Sequence, residues 1–166
     1  MPQRLLPTLS ETFLKIDFKN AFNLLSREAF VRASSTMFPG LERWTWWCYN
    51  QPPLLVYNHS RQFFSECGVQ QGDPLGPLYF CCGLQALIDQ IATLQPVYQK
   101  WYMDDGGIVG SPALLSQVWE ILDVQGKPLG LKLNPAKCEW SCVKAPFAWS
   151  TIRRTPRPPI VVETEA

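Results

Sequence analysis

Apolar and polar positions alternate from Phe13 to Phe18. Leu14, Ile16 and Phe18 fall on one side, Lys15 and Asp17 on the other. That period of two predicts a half-buried strand presenting Asp17 outward. Ser26 then stands where a helix N-cap is needed, with Ala29 in place of the glutamate of a full capping box. The helix it opens is expected over about Arg27 to Met37, ending before Pro39-Gly40. Leu41 to Tyr49 predicts a second, aromatic-rich helix, in which the spacing of Trp44, Trp46 and Trp47 favours core packing. Leu54–Tyr57 and Gln62–Ser65 read as a hairpin around Asn58-His59-Ser60.

A Gly/Pro-rich loop, Gly68 to Pro77, leads into a long helix from about Pro77 to Thr93. Leu78, Cys82, Leu84, Leu87, Ile88 and Ile91 give this helix a broad apolar face. Two short apolar runs follow, Val97 to Met103 and Ile108 to Gly110, with Asp104-Asp105 and Gly106-Gly107 between them. They predict strand, tight turn, strand, with both acids at the tip. Ser111-Pro112 opens a helix over about Ala113 to Gln125. Gly126 to Gly130 turns the chain, and Leu129–Leu133 and Cys138–Val143 read as short strands. Helices on one side of a small, mainly antiparallel sheet make the expected class α+β. There is no internal repeat.

Composition narrows the picture. A length of 166 residues, 46% of them hydrophobic, suits one packed domain, expected over residues 1–145. Residues 146–166, with Arg153, Arg154 and Arg157 among prolines, read as a poorly packed tail. No apolar run is long enough to span a membrane, and the N-terminus lacks the core of a secretory signal. Six cysteines without a Cys-x-x-Cys pair, beside a single histidine, argue against structural zinc and read as buried free thiols in a reducing compartment. The net charge of +1 is low for a complete nucleic-acid enzyme, and reads as a missing substrate-gripping part.

The chemistry centres on three acids. Adjacent Asp104 and Asp105 on a turn can hold a hard divalent cation by oxygen, although Asp and Gly are also ordinary turn residues. If the first strand pairs with the hairpin, Asp17 joins them. Three acids with no serine or histidine nucleophile nearby suit phosphoryl transfer with two magnesium ions about 3.5–4 Å apart.

Four segments make this specific. Lys15 to Asn23 (KIDFKNAFN), Gly68 to Pro77 (GVQQGDPLGP), Tyr102-Met103-Asp104-Asp105 and Leu129 to Cys138 (LGLKLNPAKC) resemble, in order and spacing, the successive palm motifs of reverse transcriptases. The wording is most similar to enzymes of retrotransposons without long terminal repeats. The resemblance covers Leu14 to Trp140 and implies a polymerase palm. It implies RNA-directed DNA synthesis with two Mg2+ ions (Mn2+ being possible), an RNA template, a DNA primer and deoxynucleoside triphosphates. It implies that Asp17, Asp104 and the Phe18 carbonyl bind metal, with Asp105 the less direct carboxylate. Phe22 would exclude a 2′ hydroxyl, the group that separates RNA from DNA at a site; on its own it also reads as core. Gln71 and Gly72 would contact the template and the new base pair, as Tyr102 and Met103 would the template–primer. Pro74 and Pro77 would equally make that loop a helix-leading turn. Lys137 would meet the leaving pyrophosphate, or is a solvated lysine. Lys15 and Lys19 add positive charge near phosphates.

Only 16 residues precede Asp17, and little chain follows Lys137. The chain is therefore expected to be a palm core from a longer polyprotein, lacking most of the fingers and thumb. In isolation it should bind metal and polymerise poorly. Two other readings stand beside this one. An RNA-directed RNA polymerase shares the acids, and Phe22 argues against it. An inactive transposon-derived scaffold for nucleic acid or protein fits the short ends. No compartment follows from the residues; a mobile element implies nucleus or cytoplasm.

Overall fold

The computed structural model describes residues 11–142. The proposed tail at 146–166 lies outside the described residues. Strand β1 (Thr12–Ile16) is followed by the short helix α1 (Ala21–Leu24), α2 (Arg27–Met37) and α3 (Glu42–Tyr49). A hairpin, β2 (Leu54–Tyr57) and β3 (Arg61–Phe64), precedes the long α4 (Gly76–Thr93). A second hairpin, β4 (Tyr98–Tyr102) and β5 (Asp105–Gly110), leads to α5 (Pro112–Gly126) and then β6 (Glu139–Cys142).

β4, β5, β1 and β6 form one antiparallel sheet in that order. The expected α+β class and palm-like layout hold: helices cover one side of a small antiparallel sheet. The alternation in β1 is realised, with Leu14, Ile16 and Phe18 buried and Lys15 exposed. These residues join Tyr79, Phe80, Leu84, Leu87 and Ile91 of α4 and Leu115, Val118 and Leu122 of α5 in one core. Removing each such aliphatic side chain from water contributes roughly 1.5–3 kcal/mol. The expected Ser26 cap forms, its Oγ accepting from Ala29 N at 3.3 Å, and Ser111, expected to open α5, also caps it, its Oγ accepting from Leu114 N at 3.2 Å.

Several expectations are corrected. The tight turn of the second hairpin is at Met103-Asp104, one residue before the expected Asp104-Asp105 tip. Asp105 pairs with Tyr102, so it opens β5 while Asp104 alone sits at the tip. Gly106 and Gly107 lie inside β5, and the Trp101 ring explains Gly106: an added Cβ would lie 2.5 Å from it. Residues 129–133 do not form a strand. A 3-10 turn over Lys127–Leu129 and the positive φ of Gly130 break the extended run, leaving a single bridge between Leu133 and Phe18. The first hairpin begins its second strand at Arg61, one residue earlier than expected. The thiols are mostly not buried. Cys82 and Cys138 are; Cys48 is half-buried, and Cys67, Cys81 and Cys142 are exposed. Trp44, Trp46 and Trp47 are exposed rather than core, because α3 buries its Thr45 and Tyr49 side against α2 and α4. No helix among the described residues is long and apolar enough to cross a membrane.

Candidate active site

Strand register builds the site. β1 and β5 run antiparallel with Ile16 opposite Gly106. The ladder ends at that pair, so Asp17, which follows Ile16, and Asp105, which precedes Gly106, lie at the same end of the two strands. Met103 holds φ at 52°, a conformation uncommon outside glycine. Its side chain packs against the core, which fixes the turn from inside.

Asp17 is the most engaged of the three acids. Asn134 Nδ2 donates to Asp17 Oδ2 at 2.8 Å, and Asn134 N donates to the Asp17 carbonyl at 2.8 Å. Lys137 Nζ stands 3.9 Å from Asp17 Oδ1. The Lys137 side chain is 69% exposed, so this pair contributes little stability. Cys138 lies under the Asp17 backbone, its Sγ 3.4 Å from Asp17 N. Lys19 N donates to Lys132 O at 2.8 Å, so residues 132–134 run alongside residues 17–19. Neither of these two backbone bonds uses the carbonyl of Phe18. Asp104 is half-buried and Asp105 exposed.

The donors are hard oxygens gathered at one sheet edge, which suits magnesium or manganese rather than a soft-ligand metal. Their carboxylates are not drawn into one tight set: among the described residues, no group of three or more His, Cys, Asp or Glu is placed to hold an ion. Strand pairing leaves the three acids at one end of the sheet, but their side chains do not close around a common point.

The second group of predicted residues meets through α1. Gly68 N donates to Leu25 O at 2.8 Å and Val69 N to Phe22 O at 2.7 Å, laying the Gly/Pro-rich loop along residues 22–25. Gly68, at φ 74°, comes so close that a Cβ would lie 2.5 Å from the Asn23 backbone. Gln71 Nε2 reaches Asn23 Oδ1 at 3.4 Å. The Phe22 ring lies parallel to that of Phe80, with centroids 4.4 Å apart. Gln71 and Gly72 are exposed, as is Tyr102. Lys15, expected near phosphates, faces Glu139 at 3.9 Å.

Three positioning residues had no role in the sequence reading. Asn134 orients Asp17; the expected motif contained it, but only the fold shows where its amide goes. Arg27 donates to the Gly68 and Ser65 carbonyls and to Ser65 Oγ, and lies over the Tyr49 ring. Burial lowers its pKa from the ordinary value. Tyr49 donates to Asp73 Oδ2 at 2.6 Å and accepts from Gln70 N at 3.2 Å, pinning the loop from below. Burial first, then the bond to Asp73, raises the Tyr49 pKa. Neither Arg27 nor Tyr49 carried a sequence signal, since each acts across more than 20 residues of chain.

A family model described as reverse transcriptase (RNA-dependent DNA polymerase) matches residues 4–155. The chain belongs to the reverse transcriptase family. Two solved structures share the reverse transcriptase fold seen here. Apo telomerase from Candida tropicalis, truncated from its C-terminal domain, aligns with TM-score 0.62 and 14% identity over 78% of this chain and 30% of that one. Telomerase from Candida albicans, in complex with a TWJ fragment of telomeric RNA, aligns with TM-score 0.64 and 15% identity over 84% of this chain and 27% of that one. The chain thus spans less than a third of either telomerase chain. No curated relative matches the sequence.

Proposed function

We propose that this chain carries the nucleotidyl-transfer centre of an RNA-directed DNA polymerase from a retrotransposon lacking long terminal repeats. Its membership of the reverse transcriptase family supports the reaction class. The observation that carries the reading is the β1–β5 register, whose last pair, Ile16 and Gly106, leaves Asp17 and the Met103-Asp104-Asp105 turn at the same end of the sheet. Asp17, Asp104 and the Phe18 carbonyl would hold the divalent ions, with Asp105 contributing at longer range. When bound, such ions neutralise phosphate charge and lower the pKa of an attacking hydroxyl. Asn134 keeps the Asp17 carboxylate aimed at the site. Lys137, 3.9 Å from Asp17 Oδ1, would offer charge or a proton to a departing pyrophosphate. Phe22, stiffened by Phe80, would limit the space at the sugar 2′ position. Gln71 and Gly72, with Tyr102 and Met103, would touch the template and primer.

Two measurements test this reading. Titration of Mn2+ into the chain, followed by paramagnetic broadening of amide resonances, should centre on residues 17–18 and 104–105, and Asp17→Asn or Asp104→Asn should abolish it. Primer extension on an RNA template, with a longer natural form containing this segment, should be lost with either substitution. Undiminished extension by the Asp104→Asn protein would sink the assignment.

A further inference from the structure

The main chain of Asp17 leaves the sheet just where the candidate centre begins. β1 pairs with β5 as far as Ile16 and with β6 as far as Lys15, so Asp17 lies beyond both ladders. Asp17 is half-buried, and backbone groups withdrawn from water need partners. The backbone just before β6 is turned elsewhere: Lys137 N and Cys138 N both donate to the Asn134 carbonyl, at 2.9 and 3.0 Å.

The Cys138 side chain takes over the pairing. Asp17 N donates to Cys138 Sγ at 3.4 Å, and Sγ donates to the Asp17 carbonyl at 3.5 Å. A thiol can do both, being a weak acceptor and a weak donor. It does for Asp17 what a facing residue does in a hydrogen-bonded pair of an antiparallel sheet, where one partner takes the N–H and serves the carbonyl. Cys138 is only 9% exposed and belongs to the core, so the sulfur has a fixed seat. Asn134 engages the Asp17 carboxylate and carbonyl, which leaves the N–H to the sulfur.

We infer that Cys138 is a positioning residue of the metal centre: its thiol holds the Asp17 main chain at the N–H that Asn134 does not reach, and through it sets the affinity for a divalent ion. The inference rests on the proposed role of Asp17 as a metal ligand. Groups that orient a metal ligand from behind commonly matter about tenfold to a hundredfold in metal affinity.

Two substitutions separate hydrogen bonding from packing. Cys138→Val fills the seat without a polar atom, and Cys138→Ser keeps a donor and an acceptor on a shorter arm. Hydrogen exchange at the Asp17 amide of the 166-residue chain, read by NMR without metal, reports the thiol bond directly. Valine should speed it about two- to tenfold relative to the Leu14 and Ile16 amides, whereas a variant that merely loosens the fold speeds all three alike. Mn2+ affinity, followed by broadening at residues 17–18 and 104–105, should weaken about tenfold or more with valine and recover most of that loss with serine. Parent values of both quantities in the valine variant overturn the inference, as does a serine variant no better than valine. Faster Asp17 exchange with unchanged Mn2+ affinity also overturns it, since the thiol then supports the strand and not the centre. Failure of the polymerase reading looks different: the parent chain itself binds no Mn2+ at these residues, and the metal role of Cys138 falls with it, while Asp17 exchange still reports the thiol bond.

Discussion

Asn134 holds Asp17 twice, its side-chain amide on Oδ2 and its backbone N–H on the Asp17 carbonyl, each at 2.8 Å. One residue from the turn after the 3-10 segment thereby fixes both the height and the rotation of the acid at the end of β1. The backbone bond survives substitution, so side-chain changes at Asn134 isolate the effect on carboxylate orientation. Asn134→Ala should cost about 1.5–3 kcal/mol, the range for a hydrogen bond to a charged group. Asn134→Asp should cost more, because it places a second negative charge against Asp17. Urea unfolding measures both, and an alanine variant as stable as the parent would show that the amide bond contributes nothing.

Gly106 stands opposite Trp101 across β4 and β5, with the indole lying over its Cα. Gly106→Ala forces the ring away or bends the hairpin, and overpacking of this kind costs about 1–3 kcal/mol. Because the clash is with one side chain, Trp101→Leu should restore most of the loss in the double variant, whereas a backbone origin would leave the two costs additive. Thermal unfolding of the four proteins closes the cycle.

The strand around Leu14 and Ile16, the Ser26 and Ser111 caps and the long α4 were legible in the sequence, because local periodicity and capping chemistry decide them. The Asp-Asp hairpin was legible as an element, but its turn lies one residue earlier than the expected Asp104-Asp105 tip. Glycine usually marks a turn; here Gly106 is demanded by a ring from the neighbouring strand, a pairing that no local pattern reveals. The tryptophans of α3 failed for a related reason. Their spacing is helical, yet which face is buried depends on where α2 and α4 lie, and that face is Thr45 and Tyr49. The three acids of the candidate site were found by motif. Asn134, Arg27 and Tyr49 act on those motifs from a distance, so only the fold discloses them.

Tyr49 links α3 to the Gly/Pro-rich loop through Asp73 and Gln70. Its pKa is raised in the folded protein, by burial and then by the bond to Asp73. A raised folded pKa means that the folded state holds the proton more tightly than the unfolded chain. The corresponding stability is fully present below the unfolded tyrosine pKa of about 10 and is lost as pH climbs toward the folded value. Urea midpoints should therefore fall between about pH 9.5 and 11. Tyr49→Phe should be less stable at neutral pH by about 1–3 kcal/mol, since the Gln70 N–H and the Asp73 carboxylate each lose a partner. It should also show a shallower alkaline decline. The decline will not vanish, because burial also raises the Tyr79 pKa. An identical pH slope in the two proteins would remove Tyr49 from the account.

Phe22 and Phe80 stack with centroids 4.4 Å apart and planes within 6°. Phe22 sits on α1, held by the Val69 bond to its carbonyl, while Phe80 is fully buried in α4. If Phe22 limits the space at the sugar, its exclusion of a 2′ hydroxyl depends on the ring being unable to retreat. Phe22→Ala should then admit ribonucleotides directly. Phe80→Ala should do so in part, by letting the Phe22 ring fall back, and should also cost about 3–5 kcal/mol as a buried aromatic truncation. Phe80→Leu fills more of that volume and should retain more discrimination at a smaller stability cost. Single-nucleotide incorporation by a catalytically competent form, comparing kcat/KM for matched ribo- and deoxynucleotides, resolves the order. Discrimination that falls with Phe22→Ala and stays whole with Phe80→Ala would mean that the Phe22 ring holds its position without the stack.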